Sequence, residues 1–306
     1  MKSEEIYQKV TNTIIELMET AKESDYNTFW NNIAFDRPKN IFKSTNYTGI
    51  NFIYLSAVMQ LKKYTANNWL TFFEIQQLKA KIKKGSKATE VIFYKSVFYD
   101  KNNQLIKADS YDQIENKEGV TKRRVLKYYF VFNVADVEGL PTEYYKNPKF
   151  TETILTQWEK DDRAEEIIKN TGANIQYLPQ NRASYNPATD KITLPIREQF
   201  TGAEPFYCTA FHELIHWTKK PERCDRKQSE NEQEYAFEEL VAELGATFIC
   251  SNLQFERHRM DNVIYIKSWL KALKNDVSFI FKASAQANKA ADYILQLNEL
   301  KCKQVA

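Results

Sequence analysis

FHELIHWT, residues 211–218, places two of the chain's three histidines four residues apart, with a glutamate directly after the first. On an α-helix, residues i and i+4 share a face, so His212 and His216 would point from one side of it. Imidazoles placed in this way can share a zinc ion. Glu213, one position around the helix, is set to take a proton from a water on the metal rather than to ligate it. The plain alternative is a half-buried helix whose histidines only hydrogen-bond, the usual fate of a lone histidine. Two of three histidines at ligand spacing, with the intervening glutamate, favour the metal.

A catalytic zinc site takes three protein ligands and keeps one position open. The nearest donor segment is YAFEELVAELGATF, residues 235–248, where Glu239 and Glu243 share a helical face beside the apolar stripe of Leu240, Leu244 and Phe248. Glu239 is expected as the third ligand and Glu243 as the carboxylate that orients a ligand histidine, with Glu238 as the fallback. Zinc suits this donor set and manganese is compatible with it. Upstream, ASYNPATDKITLP reads as a hairpin flanking the cleft. Its edge could pair with an extended peptide, though a hairpin that simply packs on the helix reads equally well. Tyr185 and Tyr235 are candidates for stabilising an oxyanion. His258 has no partner spacing and is expected at the surface.

The remaining sequence points elsewhere. With 306 residues, 43% hydrophobic and 27% charged, the chain is a soluble globular protein long enough for two domains. No run of about 18 apolar residues offers a membrane span. The opening MKSEEIYQKVTNTIIELMET has apolar residues at helical spacing but no signal-peptide core. The four cysteines show no CxxC pairing, as expected of free thiols in a cytoplasmic protein.

The net charge of +3 hides a division: Arg37 to Lys127 holds 18 Lys and Arg against 7 Asp and Glu. Lysines 79, 81, 83, 84 and 87 crowd around Gly85, and Lys122, Arg123, Arg124 and Lys127 precede a predicted strand. Trp30, Tyr47, Tyr54, Trp69, Phe72, Phe93 and Tyr94 interleave with them. Cations with aromatic platforms are how proteins hold single-stranded DNA without reading its sequence. The candidate contacts are Arg37, Lys43, Tyr47, Asn51, Trp69, Lys81, Lys83, Lys84, Lys87, Lys95, Arg123 and Arg124. Helices are expected over NFIYLSAVMQLKK and LTFFEIQQLKAKI, the latter capped by Thr71, and strands over TEVIFYKSVFYD and VLKYYFVFNV. The expected architecture is α+β in two domains: residues 1–140, a linker at 141–150, and a mainly helical unit with a small sheet at 151–306. That unit would open with a helix from Glu152 to Lys169.

Several of these segments resemble one family. FDRPKNIFKSTNYTGIN, NNWLTFFEIQQLKAKIKKGSKATEVIFYK and FNVADVEGLP are similar to the N-terminal domain of ArdC-type antirestriction proteins, a domain that also opens TraC-type plasmid primases. DKITLP, FHELIHWT, RCDR, EYAFEELVAELGATF and IYIKSWLKAL resemble the zincin-like metallopeptidase domain that follows it. The resemblance implies single-stranded DNA binding by the first domain, at the turn of Lys83, Lys84, Gly85 and Lys87 above all. In the second it implies a metal held by His212, His216 and the EELVAE glutamates. It also implies carriage on plasmids, phages or other mobile elements and protection of entering DNA from restriction. The alternative is a DNA-directed zinc protease that cleaves DNA-bound or restriction-system proteins. One departure stands out: Lys219-Lys220 follow HWT, where the family often has glycine.

Overall fold

The computed structural model describes residues 3–20, 37–108, 110–114, 117–146, 159–255 and 263–305. Trp30, the expected helix start at Glu152 and His258 lie outside these residues. Helix α1, Ser3–Thr20, buries Ile6, Val10, Ile14 and Leu17 at helical spacing. Short strands β1 (Lys39–Asn40) and β2 (Thr45–Asn46) precede helix α2, Gly49–Leu61. Strand β3, Asn68–Thr71, leads directly into helix α3, Phe72–Gln77. The start of α3 is the one its sequence announces: the Thr71 hydroxyl accepts from the Glu74 N–H, and the Glu74 carboxylate accepts from the Thr71 N–H.

The end of α3 is not where periodicity put it. The helix stops at Gln77, Lys79 takes a left-handed φ of 56°, and Lys81–Ile82 become strand β4, paired with β8 at Val137–Glu138. Strands β5 (Thr89–Tyr99) and β7 (Thr121–Asn133) run antiparallel over their whole lengths. With β6 (Leu105–Ile106) they complete a six-stranded sheet in the order β2-β1-β3-β7-β5-β6. β7 begins earlier than expected, so Lys122, Arg123 and Arg124 lie inside the strand rather than before it.

Helix α4, Asp162–Thr171, is capped by the Asp161 side chain and closed by Gly172 at φ 69°. A three-stranded sheet follows: β9 (Asn174–Leu178), β10 (Ser184–Asn186) and β11 (Lys191–Pro195), with β11 central and β10 at an edge. Then come helices α5 (Ala203–Trp217), α6 (Glu232–Leu253), α7 (Val263–Asn275) and α8 (Phe279–Val305).

Of the linker expected at 141–150, residues 142–145 form a 3-10 turn against the first half. Tyr145 donates to the Val137 carbonyl, and Asn68 donates to that of Tyr144. One apolar core runs through both halves. Phe52 of α2 meets Phe248 of α6 edge-on at 5.2 Å between ring centres. Helix α1 grips both sides. Its Lys9 pairs with buried Glu90 of β5, while its Thr11 donates to the Val277 carbonyl and its Tyr7 packs on Phe281 of α8.

Candidate metal centre and nucleic-acid surface

Helix α5 is apolar nearly all round: Phe206, Tyr207, Ala210, Phe211, Leu214, Ile215 and Trp217 are buried. A helix of that kind lies inside the molecule, where polar side chains need partners. Helix α6 supplies them, burying Glu238, Glu239 and Glu243 among Leu240, Val241 and Leu244. Gly245 lets the two helices meet closely. A Cβ there would stand 2.6 Å from Ile215 Cδ1 and 2.8 Å from its Cγ1.

Each imidazole is oriented by its own carboxylate. His212 Nδ1 lies 3.1 Å from Glu243 Oε1, and His216 Nδ1 lies 3.2 Å from Glu238 Oε1. An ionised carboxylate only accepts, so both Nδ1 atoms carry hydrogen and the Nε2 atoms are the ones left to take a proton or a metal. Those two Nε2 atoms stand 3.1 Å apart. Glu239 turns one oxygen to each of them, 3.6 Å from His212 and 3.5 Å from His216. Lone pairs so close repel unless a proton or a cation lies between them. Ligands about 2.05 Å from a tetrahedral zinc sit about 3.3 Å from one another, and the observed separations match that value. Carboxylates also outnumber cations here: Glu213, Glu238, Glu239 and Glu243 against Arg226 and Lys219. The donor set therefore fits a divalent metal.

Without an ion, the same pull falls on protons at those nitrogens. Burial works against the charge on His212, yet Glu243 and Glu239 raise it to about 10; for His216, Glu238 and Glu239 overcome burial and raise it to about 9. Burial opposes the charge of Glu238, but His216 and Arg226 hold its carboxyl down at about 2. Glu213 is the contrast. Burial raises its carboxyl above the ordinary range, and the nearby Tyr185 backbone N–H works weakly against that.

Spacing alone offers Glu238 only as a fallback ligand and gives Arg226 no role, yet the two are paired. Arg226 donates to both Glu238 oxygens, to Thr218 and to the Ile215 carbonyl. RCDR was the available signal, since an arginine beyond a metal helix can clamp a carboxylate. Its other arginine, Arg223, lies 4.0 Å over the Trp217 ring and pairs with Asp190 at the β10–β11 turn. The Tyr185 hydroxyl donates to that same Asp190, and Tyr235 is exposed on the first turn of α6. Lys219 is buried, donating to Ser229, and Lys220 pairs with Asp190.

The DNA candidates divide by exposure. Trp69 is core: it is 1% exposed and its indole N–H donates to Asn67, so it offers no face to a base. Tyr47 is buried too, and Asn51 is spent on the Ile92 backbone, donating to its carbonyl and accepting from its N–H. Arg37 is half-buried beside Asp292 of α8. Lys43, Lys81, Lys83, Lys84, Lys87, Lys95, Arg123 and Arg124 are exposed. Interleaving along the sequence could not tell core aromatics from surface ones, because side chains alternate faces along a strand.

An HExxH helix oriented by a second, carboxylate-bearing helix defines a zincin-like centre. A family model described as a zincin-like metallopeptidase matches residues 162–286, and one for the N-terminal domain of anti-restriction factor ArdC matches residues 4–132. The chain belongs to the ArdC-type antirestriction family. The crystal structure of antirestriction ArdC protein from plasmid R388, metal-free, is 30% identical with a TM-score of 0.75, covering 96% of this chain and 97% of that one. Its Mn(II)-bound form gives 0.73 at 30% identity, over 95% and 97%. Uncharacterized protein y4eC of Sinorhizobium fredii is 32% identical over 95% of this chain and 91% of its own length. A DNA primase TraC of Escherichia coli is 33% identical over 86% of this chain, which spans only 18% of that primase. No helix among the described residues is long and apolar enough to cross a membrane.

Proposed function

We propose that this protein binds single-stranded DNA through its first half and holds a divalent metal, zinc by its donor set, in a peptidase-type centre in its second. Its role is to shield entering mobile-element DNA from host restriction. The observation that carries the reading is the exposure of so many cations in a half that is otherwise tightly packed: Lys81, Lys83, Lys84 and Lys87 around one turn, and Arg123 and Arg124 on the two faces of β7. Such a surface grips phosphates without regard to sequence. Its affinity should fall by about 0.7 log units per contact for each log unit of salt. Binding to oligo-dT across a salt series tests this; absent or salt-insensitive binding rejects it.

A second reading, a DNA-directed zinc protease, is favoured by Glu213. Burying a carboxylate is costly, and a purely structural metal site has no use for one that neither binds the ion nor orients a ligand. A bound ion would supply Lewis-acid activation of a water. The protein's own contribution is positional: Glu243 and Glu238 fix the imidazoles, and buried Glu213, beside the Tyr185 backbone, accepts a proton. An extended peptide laid along the β10 edge would bring its carbonyl to the same place. Glu213→Gln should keep the metal, measured by elemental analysis, and abolish peptide cleavage. If protection of DNA in cells survives that change in full, the protease reading fails and the binding reading stands.

A further inference from the structure

The long β5–β7 pair has an unusual face. In antiparallel register, directly opposed residues share a side of the sheet. Phe93 faces Lys127, Lys95 faces Val125, Val97 faces Arg123, and Val91 faces Tyr129. These residues therefore project together, and no carboxylate occurs on that face of the two strands. Phe93 and Tyr129 are 44% and 39% exposed, with ring centres 6.1 Å apart. Large aromatics standing open on a sheet are the informative exception to burial; Trp69, Tyr54, Phe52 and Phe98 follow the rule, while Tyr94 and Phe130 stand open on the opposite face, where Tyr94 meets Tyr7 of α1.

Cations frame the two rings. Lys127 and Lys95 lie on the Phe93 side, and Arg123, stacked 4.6 Å over Tyr99, lies further along. On the other side burial raises the Tyr129 hydroxyl, with Tyr47 and then Lys43 working against it. Glu74, whose charge reaches Tyr129, is already held by Asn40, Thr71 and Lys43. From the Tyr129 row to the Arg123 row the band runs about 20 Å, room for ~4 nucleotides, the small end of the range for single-strand binders.

We infer that this face of β5 and β7 is where the bases of a single strand lie, stacked on Phe93 and Tyr129, with Lys43, Lys95, Lys127 and Arg123 along the phosphates. The inference rests on the reading of the first half as a single-strand binder and adds to it a mode. The bases themselves are held, and the basic turn at Lys83–Lys87 is a flank rather than the seat.

The test uses the full chain and two labelled strands of equal length, oligo-dT and an abasic backbone with the same phosphates, followed by fluorescence anisotropy. Phe93→Ala with Tyr129→Ala should weaken oligo-dT binding at least tenfold, from about 5- to 150-fold per stacked base. It should leave the weaker abasic binding unchanged, measured well below the variant's own melting temperature. Tyr129→Phe, which keeps the ring, should bind within about twofold of the parent, since stacking needs only the π-face. Lys95→Ala with Lys127→Ala should instead lower the salt slope by about 0.7 per lysine. Undiminished oligo-dT binding by the double alanine variant, or equal weakening on both strands, overturns the inference. If Lys83→Glu with Lys84→Glu and Lys87→Glu alone abolishes binding in that case, the reading of the first half survives. A parent chain that binds neither strand overturns both.

Discussion

Glu238 keeps its negative charge in a buried position because two partners hold it there, His216 on one oxygen and the Arg226 guanidinium on both. Arg226 does not approach the imidazole Nε2 atoms, yet through Glu238 it fixes which way the His216 ring turns. Removing one partner of a buried pair strands the other charge. Arg226→Ala should therefore destabilise the protein by about 3–5 kcal/mol, measured by denaturant unfolding. Glu238→Gln should fold and lose about 10- to 100-fold in metal affinity, read by competition with a chelator. Unaltered affinity would show that His216 needs no such partner. At this scale the closeness of His212 and His216 was legible in the sequence, because helical spacing alone makes i and i+4 neighbours, whereas the approach of Glu239 depends on how a second helix packs. Arg226 was not, because the turn that carries it back to α6 leaves no periodic mark.

Between elements, the contact that assembles the centre is that of α5 with α6, and Gly245 sets its depth. Gly245→Ala would press a methyl group into Ile215, which is fully buried. Overpacking of this kind costs about 1–3 kcal/mol. It should also weaken metal binding by moving Glu239 away from the imidazoles; a thermal melt and a metal titration on the same sample check both effects. Asp190 ties the edge hairpin to the segment after α5. Its carboxyl is held below the ordinary range first by Arg223, against some burial, and then by Tyr185. A depressed folded-state value means that the stabilisation is complete above the ordinary aspartate range and is lost as pH falls through the folded value. The parent should thus lose stability on acidification below about pH 4, and Asp190→Asn should lose less over that window in melts across pH. The long strands were readable from their β-branched and aromatic runs. The early end of α3 was not, since the pairing of Lys81–Ile82 with Val137–Glu138 joins residues more than fifty positions apart.

At the scale of the molecule, the sequence divides more sharply than the fold does. Composition marks a basic half and an acidic one, but the apolar faces of α1 and α2 have partners across that line. Calorimetry on the whole chain should give one unfolding transition, its calorimetric and van't Hoff enthalpies in agreement. Two resolved transitions would show the halves to be energetically separate. Residues 1–140 alone should unfold at a lower temperature than the intact chain, because Phe52 and Tyr7 would lose Phe248 and Phe281. Composition and hydropathy could not foresee this, since they count apolar residues without saying which ones meet.

The Phe52–Phe248 contact has a consequence of its own. Asn51, beside Phe52, grips the backbone next to Phe93, and Phe248 rides on the helix that bears Glu239. Two ligands that share one scaffold obey a reciprocity: whatever factor separates the strand's dissociation constant with and without the ion must also separate the ion's with and without the strand. Measuring either one fixes the other, and a factor of one would mean that the aromatic bridge is silent.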